Sequence, residues 1–277
     1  MATFLYIEYI TPAAVDEHEP RRERVPWTVQ SRSVRRRRAG GSSASRRRQG
    51  PSPTTRAISV GVVGTCMLAS AYDFHLFDLD GTLVDAEWEY TRGVFDRVGD
   101  RLGRRFSDEQ ARILWHGLTG SRNETLRSWG VDPDAFWNAF HAEEDPYERA
   151  ASTYLHPDAE RALAAVDGPT GLVTHCQEFL TDPVLDALDL RDHFDTVVCC
   201  TESTGWKPDP TPLELAMTDL DVDPDRARGY YAGDGEGDVG AAWNAGLDAV
   251  HVERLGHDER GRCVLGDHRV ESFDPLL

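Results

Sequence analysis

The chain has 277 residues, of which 40% are hydrophobic, and its formal net charge at pH 7 is −18. This length and apolar content exclude a fibrous or fully disordered protein and suffice for one substantial α/β core. Residues 67–277 hold 18 basic against 43 acidic residues, which excludes binding of that part to nucleic acid or to an anionic membrane, because such partners are bound through Lys and Arg.

The first 66 residues have the opposite character, with 12 Arg against 5 acidic residues. Their Arg-, Ser- and Gly-rich composition has no apolar period, so we predict a disordered basic arm over residues 1–66. Three explanations stay open: non-native sequence ahead of a true start at Met67, an export signal whose apolar region is residues 57–71, or an arm that binds nucleic acid. The abrupt change from Arg-rich to Asp-rich usage at Met67 favours the first. No apolar run reaches the roughly 20 residues that a membrane-spanning helix needs.

Lysine and cysteine usage indicate the environment of the protein. Lys207 is the only lysine, and an acidic chain with so little lysine is typical of proteins that work in concentrated salt, where screening weakens charge repulsion. The five cysteines form no CxxC pair and no metal-ligand spacing, which favours a reducing compartment. We therefore expect a halophilic source and a cytoplasmic protein, with export as the alternative if residues 57–71 act as a signal.

Short β-rich runs alternate with helical segments from Tyr72 onward. The first run, Phe74 to Phe77, precedes an aspartate-rich loop. The later β-rich runs lie at residues 170–175, 194–200, 229–234 and 247–253, and helical patterns lie between them at residues 181–190 and 211–220. Strands that alternate with helices predict right-handed crossovers and a mainly parallel sheet covered on both faces. The expected fold class is therefore α/β, a three-layer Rossmann-like core whose site lies beyond the carboxyl ends of the strands.

One connection is far too long for an ordinary crossover, which needs about a dozen residues or somewhat more. From Asp78 to Thr174 is 96 residues, and the interval contains helical patterns at residues 87–103, 107–118, 132–144 and 145–155. We therefore predict an inserted α-helical cap over residues 86–154. The Rossmann-like core then consists of residues 67–85 and 155–277.

The loop after the first strand carries two carboxylates. In an extended segment residues two apart share a face, so Asp78 and Asp80 can address one ligand, while Gly81 lets the backbone turn and offer its N–H groups. Gly81 and Thr82 are accordingly assigned to substrate binding. Two carboxylates held close together repel each other unless a cation joins them, and Mg²⁺ is the natural cation for oxygen ligands.

The later strand ends add the remaining groups of the predicted site. Asp234 and Asp238 are four residues apart around a helix start, so both can face the same cation. Thr174 contributes a hydroxyl and Lys207 an ammonium, and both suit anionic oxygen. Together these groups fit phosphoryl transfer, in which one aspartate attacks phosphorus and another transfers protons.

The four motifs "DLDGT", Thr174, "KPDP" and "GDGEGD" stand in this order at the predicted strand ends. From about residue 72 to the end, the pattern resembles the haloacid dehalogenase superfamily, and within it phosphatases of the phosphoglycolate phosphatase-like type, with a helical cap inserted after the first motif. The resemblance implies that Asp78 is the nucleophile and forms an aspartyl-phosphate. Asp80 would protonate the leaving group and then activate water, while Thr174 and Lys207 would hold the phosphoryl oxygens.

The resemblance also implies a cofactor and a substrate class. Mg²⁺ would be bound by Asp78, the backbone carbonyl of Asp80, and Asp234, with Asp238 close by or acting through water. The implied activity is Mg²⁺-dependent hydrolysis of a small phosphorylated metabolite. The chain departs from the family pattern after Thr174, where His175 and Cys176 replace the more typical Asn and small residue.

Other functions are separated by particular residues. A phosphomutase stays open, because it uses the same core and returns the phosphoryl group to the substrate. A haloacid dehalogenase has no need of Asp80, a phosphonate-cleaving relative needs a lysine in the cap, and a non-catalytic binding module is disfavoured because every core role is filled. Lys207 itself indicates a site where the wide guanidinium of arginine does not fit.

Overall fold

The structure, a computed structural model, describes residues 71–223, 225–260 and 263–277. The expectations for the basic arm, for a start at Met67 and for the export signal fall outside the described residues, apart from Ala71 at the end of the apolar region. Within the described ranges, no helix has the length and apolar character needed to cross a bilayer.

The strands of the described chain are short, and most of their residues are apolar. They are β1 (Phe74–Phe77), β2 (Val84–Ala86), β3 (Thr153–Leu155), β4 (Thr170–Thr174), β5 (Thr196–Cys199), β6 (Gly229–Gly233), β7 (Asp248–Val252) and β8 (His268–Val270). Six of them form one sheet in the order β5–β4–β1–β6–β7–β8, with every neighbouring pair parallel. The first strand is therefore central, and its carboxyl end lies between those of β4 and β6.

Helices connect these strands. They are α1 (Trp88–Leu102), α2 (Asp108–His116), α3 (Arg122–Ser128), α4 (Pro133–Glu143), α5 (Pro146–Ala151), α6 (Pro157–Ala165), α7 (Glu178–Ala187), α8 (Thr211–Asp219), α9 (Glu236–Asn244) and α10 (His257–Arg260), with short 3-10 turns at Arg191–His193 and Asp274–Leu276. Residues of α6 and α7 pack in one hydrophobic cluster with Phe77, and residues of α8 and α9 pack in another with Phe74 and Leu76. Because neighbouring side chains of a strand point to opposite faces, the two clusters cover the two faces of the sheet. This confirms the three-layer Rossmann-like core.

The chain between β2 and β3 forms a helical insertion, defined here as α1 to α5. β2 and β3 pair antiparallel at its base, with Val84 opposite Leu155. The insertion has a hydrophobic cluster of its own, in which the rings of Phe95, Phe106 and Phe136 lie 5.5–6.0 Å apart. Helices α1 to α4 thus bury apolar surface against one another, although the predicted cap boundaries at residues 86 and 154 stay a prediction.

The prediction of a helix through residue 155 is wrong at its end. α5 starts where the Asp145 side chain accepts the N–H groups of Tyr147 and Glu148, and it ends at Ala151. Residues 153–155 form β3 instead, because β2 offers them a pairing partner that no local pattern reveals. Neither α3 nor β8 was expected from the sequence, since both are short and β8 exists through its pairing with β7.

Gly229→Ala is expected to lower the free energy of unfolding by about 1–3 kcal/mol, because overpacking forces a well-packed core apart. Gly229 lies opposite Phe74 in the central strands, and an added Cβ would lie 2.1 Å from the Phe74 ring, which is 0% exposed. Urea unfolding of both proteins measures the change. Gly256→Ala is the control, since its added Cβ meets nothing within 4 Å; a loss as large in the control would contradict the packing argument.

Candidate active site

The loop after β1 places Asp78 at the centre of the sheet edge. Its backbone N–H donates to the carbonyl of Ala232 at 2.8 Å, which continues the β1–β6 ladder by one residue. The chain then turns sharply, as the Leu79 carbonyl accepts the N–H groups of Leu83 at 2.9 Å and Val84 at 3.1 Å. Asp78 is buried, whereas the Asp80 side chain, beyond the turn, is 38% exposed.

Gly81 occupies a position where a side chain would be strained. Its φ is +77°, and an added Cβ would lie 2.8 Å from Asp234 Oδ2. Its N–H donates to the Val84 carbonyl at 2.8 Å, and the Thr82 N–H donates to Leu79 at 3.3 Å, so the turn itself uses both groups. The side chain of Thr82 is fully buried. In this structure, Gly81 therefore makes room for a carboxylate, and neither residue directs an N–H group toward the centre of the site.

Lys207 connects three oxygen atoms in the interior of the site. Its side chain is 2% exposed, and Nζ lies 2.8 Å from Asp78 Oδ1, 2.7 Å from Asp238 Oδ1 and 2.8 Å from the Tyr231 hydroxyl. The Tyr231 hydroxyl in turn donates to the Val173 carbonyl at 2.7 Å. Burial disfavours the ammonium, but Asp238 and Asp78 outweigh burial and hold the pKa of Lys207 well above its usual range.

Asp234 and Asp238 follow β6 at the start of α9. Asp238 Oδ2 accepts the Gly235 N–H at 2.9 Å, which caps the helix and orients the carboxylate toward Lys207. Asp78, Asp234 and Asp238 each offer one oxygen, and these oxygens lie within 4.8 Å of one another. The structure thus brings together two groups of aspartates that are more than 150 residues apart in the sequence.

The electrostatics of these carboxylates favour a divalent cation. Burial, together with the repulsion from Asp238, raises the pKa of Asp78 to about 8 and that of Asp234 to about 6. Lys207 and Arg260 oppose this rise; Arg260 pairs with Asp234 at 3.3 Å. The pKa of Asp238 is lowered, because Lys207 outweighs the burial of this carboxyl. A set of hard oxygen ligands under mutual repulsion fits Mg²⁺.

Thr174 closes β4 beside Asp78 and is buried. Its hydroxyl accepts the Cys176 N–H at 3.0 Å, which shapes the following loop. The next residue, His175, accepts the backbone N–H of Lys207 through Nε2 at 3.0 Å and contacts the Trp206 ring. Burial lowers the pKa of His175 to about 3, so the ring is neutral and carries its proton on Nδ1. His175 therefore holds the backbone of Lys207, a role that the sequence did not reveal.

Asp80 pairs with a residue that sequence reasoning missed. Arg149 of α5 donates through Nη2 to Asp80 Oδ1, and the Arg149 residue is 3% exposed. No motif surrounds Arg149, and the two residues are 69 positions apart. Tyr231 and Arg260 were missed for the same reason, because their roles depend on distant partners.

Comparison with known proteins agrees with this geometry. A family model described as haloacid dehalogenase-like hydrolase matches residues 75–252. A phosphoglycolate phosphatase of Shigella dysenteriae is 30% identical over 201 residues, which cover 63% of this chain and 78% of the relative. An N-acetylmuramic acid 6-phosphate phosphatase of Pseudomonas aeruginosa is 29% identical over 215 residues, covering 73% and 93%.

A solved structure of CbbY from Rhodobacter sphaeroides in complex with phosphate has a TM-score of 0.57 at 23% identity. The similarity covers 74% of this chain and 96% of that protein, and at this identity it supports the fold alone. The family model covers more than half of the chain, from β1 to β7. The chain therefore belongs to the haloacid dehalogenase-like hydrolase family and is a phosphatase of that family, as its four motifs predict.

Proposed function

We propose that the protein hydrolyses a small phosphomonoester with the help of Mg²⁺ and through an aspartyl-phosphate on Asp78. The observation that carries the proposal is the position of the Lys207 ammonium, within 2.8 Å of both Asp78 and Asp238 at the buried end of the central strand. An ammonium at this point can bind a phosphoryl oxygen, and its charge opposes the effect of burial on the pKa of Asp78 and so favours the ionised carboxylate that attacks.

The chemistry of the first step follows from the two carboxylates of the loop. An oxygen of Asp78 attacks phosphorus, the bond from phosphorus to the ester oxygen breaks, and Asp80 gives its proton to the departing alcohol. In the second step water attacks the same phosphorus, Asp80 takes a proton from the water, and Asp78 is released with orthophosphate. Thr174 and Lys207 hold the phosphoryl oxygens in both steps, and Lys207 does so by giving the substrate one of the three N–H donors that contact protein oxygens in this structure.

The metal-binding residues of the proposal are Asp78, the backbone carbonyl of Asp80, and Asp234. Asp238 contributes by holding Lys207 and adds negative charge beside them. When bound, Mg²⁺ would neutralise charge on the phosphoryl oxygens and the carboxylates. Gly81 supports this arrangement, because its missing side chain leaves the space in which the Asp234 carboxylate lies.

The substrate class is a small phosphorylated metabolite, and the relatives support it through their names, phosphoglycolate phosphatase and N-acetylmuramic acid 6-phosphate phosphatase. A phosphomutase with the same core would keep the phosphoryl group on an organic acceptor. Release of orthophosphate from the purified protein, in high salt with Mg²⁺, therefore separates hydrolysis from transfer.

Asp78→Asn is expected to lower phosphatase turnover by at least about 10⁴-fold, because an amide cannot serve as the nucleophile. Release of orthophosphate from p-nitrophenyl phosphate measures the loss, and a circular dichroism melt shows whether the variant is folded. Asp108→Asn is the matched control, since its side chain is 77% exposed and lies in the helical insertion. Turnover of the Asp78 variant within tenfold of the parent would contradict the covalent mechanism.

Lys207→Arg is expected to lower turnover by on the order of 10²-fold or more, since even a small misplacement of reacting groups has this effect. The guanidinium is too wide to replace an ammonium that contacts three oxygens within 2.8 Å. Turnover is measured well below the melting temperature of the variant, so that loss of fold does not mimic loss of chemistry. Near-parental activity would show that a planar cation suffices at this position.

Mg²⁺ is expected to raise the melting temperature more at pH 8 than at pH 5. At pH 8 and saturating Mg²⁺, the expected rise is about 5 °C or more. The pKa values of Asp78 and Asp234 are raised in the folded protein. Between about pH 4 and pH 8 the folded protein therefore binds more protons than the unfolded chain does, and the free energy of unfolding falls as the pH rises through this range. Ionised carboxylates repel one another, so a bound cation stabilises the folded protein most at the pH values at which Asp78 and Asp234 are ionised.

Thermal melts with and without Mg²⁺ at constant ionic strength test this expectation without any substrate. Asp234→Asn removes one proposed ligand and should reduce the Mg²⁺-dependent shift at pH 8. A shift of equal size at both pH values, or in this variant, would contradict the proposed metal site.

A further inference from the structure

Arg149 is buried between the helical insertion and the core. Its guanidinium carbon lies 4.8 Å from the ring centre of Trp115 and 5.8 Å from that of Tyr90. Trp115 is itself held, because its indole N–H donates to Asp85 Oδ1 of β2 at 3.2 Å. A chain of contacts thus runs from β2 through Trp115 to Arg149 and ends on the Asp80 carboxylate.

The contacts within the insertion do not satisfy this arginine completely. Nη1 of Arg149 is buried and has no hydrogen-bond partner among the residues that the structure describes. An unsatisfied nitrogen on a buried cation destabilises a fold more than an unsatisfied neutral group does. Such a feature calls for an explanation. Among the described residues, Asp80 provides the only carboxylate that forms an ion pair with Arg149.

The two oxygens of Asp80 are not equivalent in this arrangement. Oδ1 accepts the hydrogen bond from Arg149, whereas Oδ2 has no partner among the described residues, and the side chain is 38% exposed. The hydrogen bond from Arg149 restrains the orientation of the carboxyl group. Oδ2 is then the oxygen that is available to the substrate.

We infer that Arg149 is a positioning residue of the proposed phosphatase: from the helical insertion, it orients Asp80 so that Oδ2 faces the ester oxygen of the substrate. The inference rests on the proposed function, because Asp80 has a proton to transfer only in that reaction. The insertion then contributes to catalysis, because its Arg149 orients the proton donor Asp80.

The test compares two esters of similar shape, p-nitrophenyl phosphate and phenyl phosphate. The p-nitrophenolate ion leaves readily without a proton, whereas phenolate needs one, so the ratio of their kcat/KM values reports on the proton donor. This parameter includes only the steps up to release of the alcohol, which excludes the later hydrolysis of the aspartyl-phosphate.

Arg149→Met is expected to lower kcat/KM for phenyl phosphate at least tenfold more than for p-nitrophenyl phosphate. Arg149→Lys, which keeps one donor for Oδ1, should recover part of the phenyl phosphate activity, and it serves the same comparison if the Met variant does not fold. Arg101→Met is the matched control, since Arg101 pairs with Glu143 in the same insertion at 52% exposure; its ratio should equal that of the parent.

A double-mutant cycle shows whether Arg149 acts through Asp80. In an Asp80→Asn background, Arg149→Met should change kcat/KM for phenyl phosphate by less than about threefold. Equal losses for the two esters, or a full additional loss in the Asp80→Asn background, would mean that Arg149 only supports the fold and would overturn the inference. If the unaltered protein releases phosphate from neither ester, the proposed function itself fails, and the inference fails with it.

Discussion

The structure of the site depends on one buried ammonium. Lys207 Nζ contacts Asp78, Asp238 and Tyr231, which come from the end of β1, the start of α9 and β6. A buried charge is tolerated only when it is paired and fully hydrogen-bonded, and a buried carboxylate has the same requirement. The three donors of the lysine satisfy three oxygens at once, and this explains why a chain that is otherwise free of lysine retains one here.

The lysine does not balance all of the negative charge. Asp78, Asp234 and Asp238 offer three carboxylates within a small volume, and Lys207 and Arg260 are the cations that pair with them in the described chain. Burial and, to a smaller extent, the remaining repulsion raise the pKa values of Asp78 and Asp234. The divalent cation that we propose would relieve this repulsion, and an anionic substrate could then approach the carboxylates.

The helical insertion consists of two parts that pack differently. Helices α1 to α4 pack against one another through their own aromatic cluster. Helix α5 packs on the core through Ala150 and places Arg149 against the Asp80 carboxylate.

Sequence patterns alone predicted the features that local chemistry determines. The α/β core, the family and the residues at the strand ends were predicted from short patterns, each of which lies within a few consecutive positions. These patterns are the apolar run before Asp78, the Asp-x-Asp-Gly turn, the lone lysine and the two aspartates four residues apart. Tertiary structure decided what depends on distant pairing. The strand β3 exists through β2, the carboxyl of Asp238 is directed to Lys207, and Arg149 meets Asp80 across 69 positions. None of these partners can be identified from a local period, since each contact forms only when the folded chain brings the two segments together.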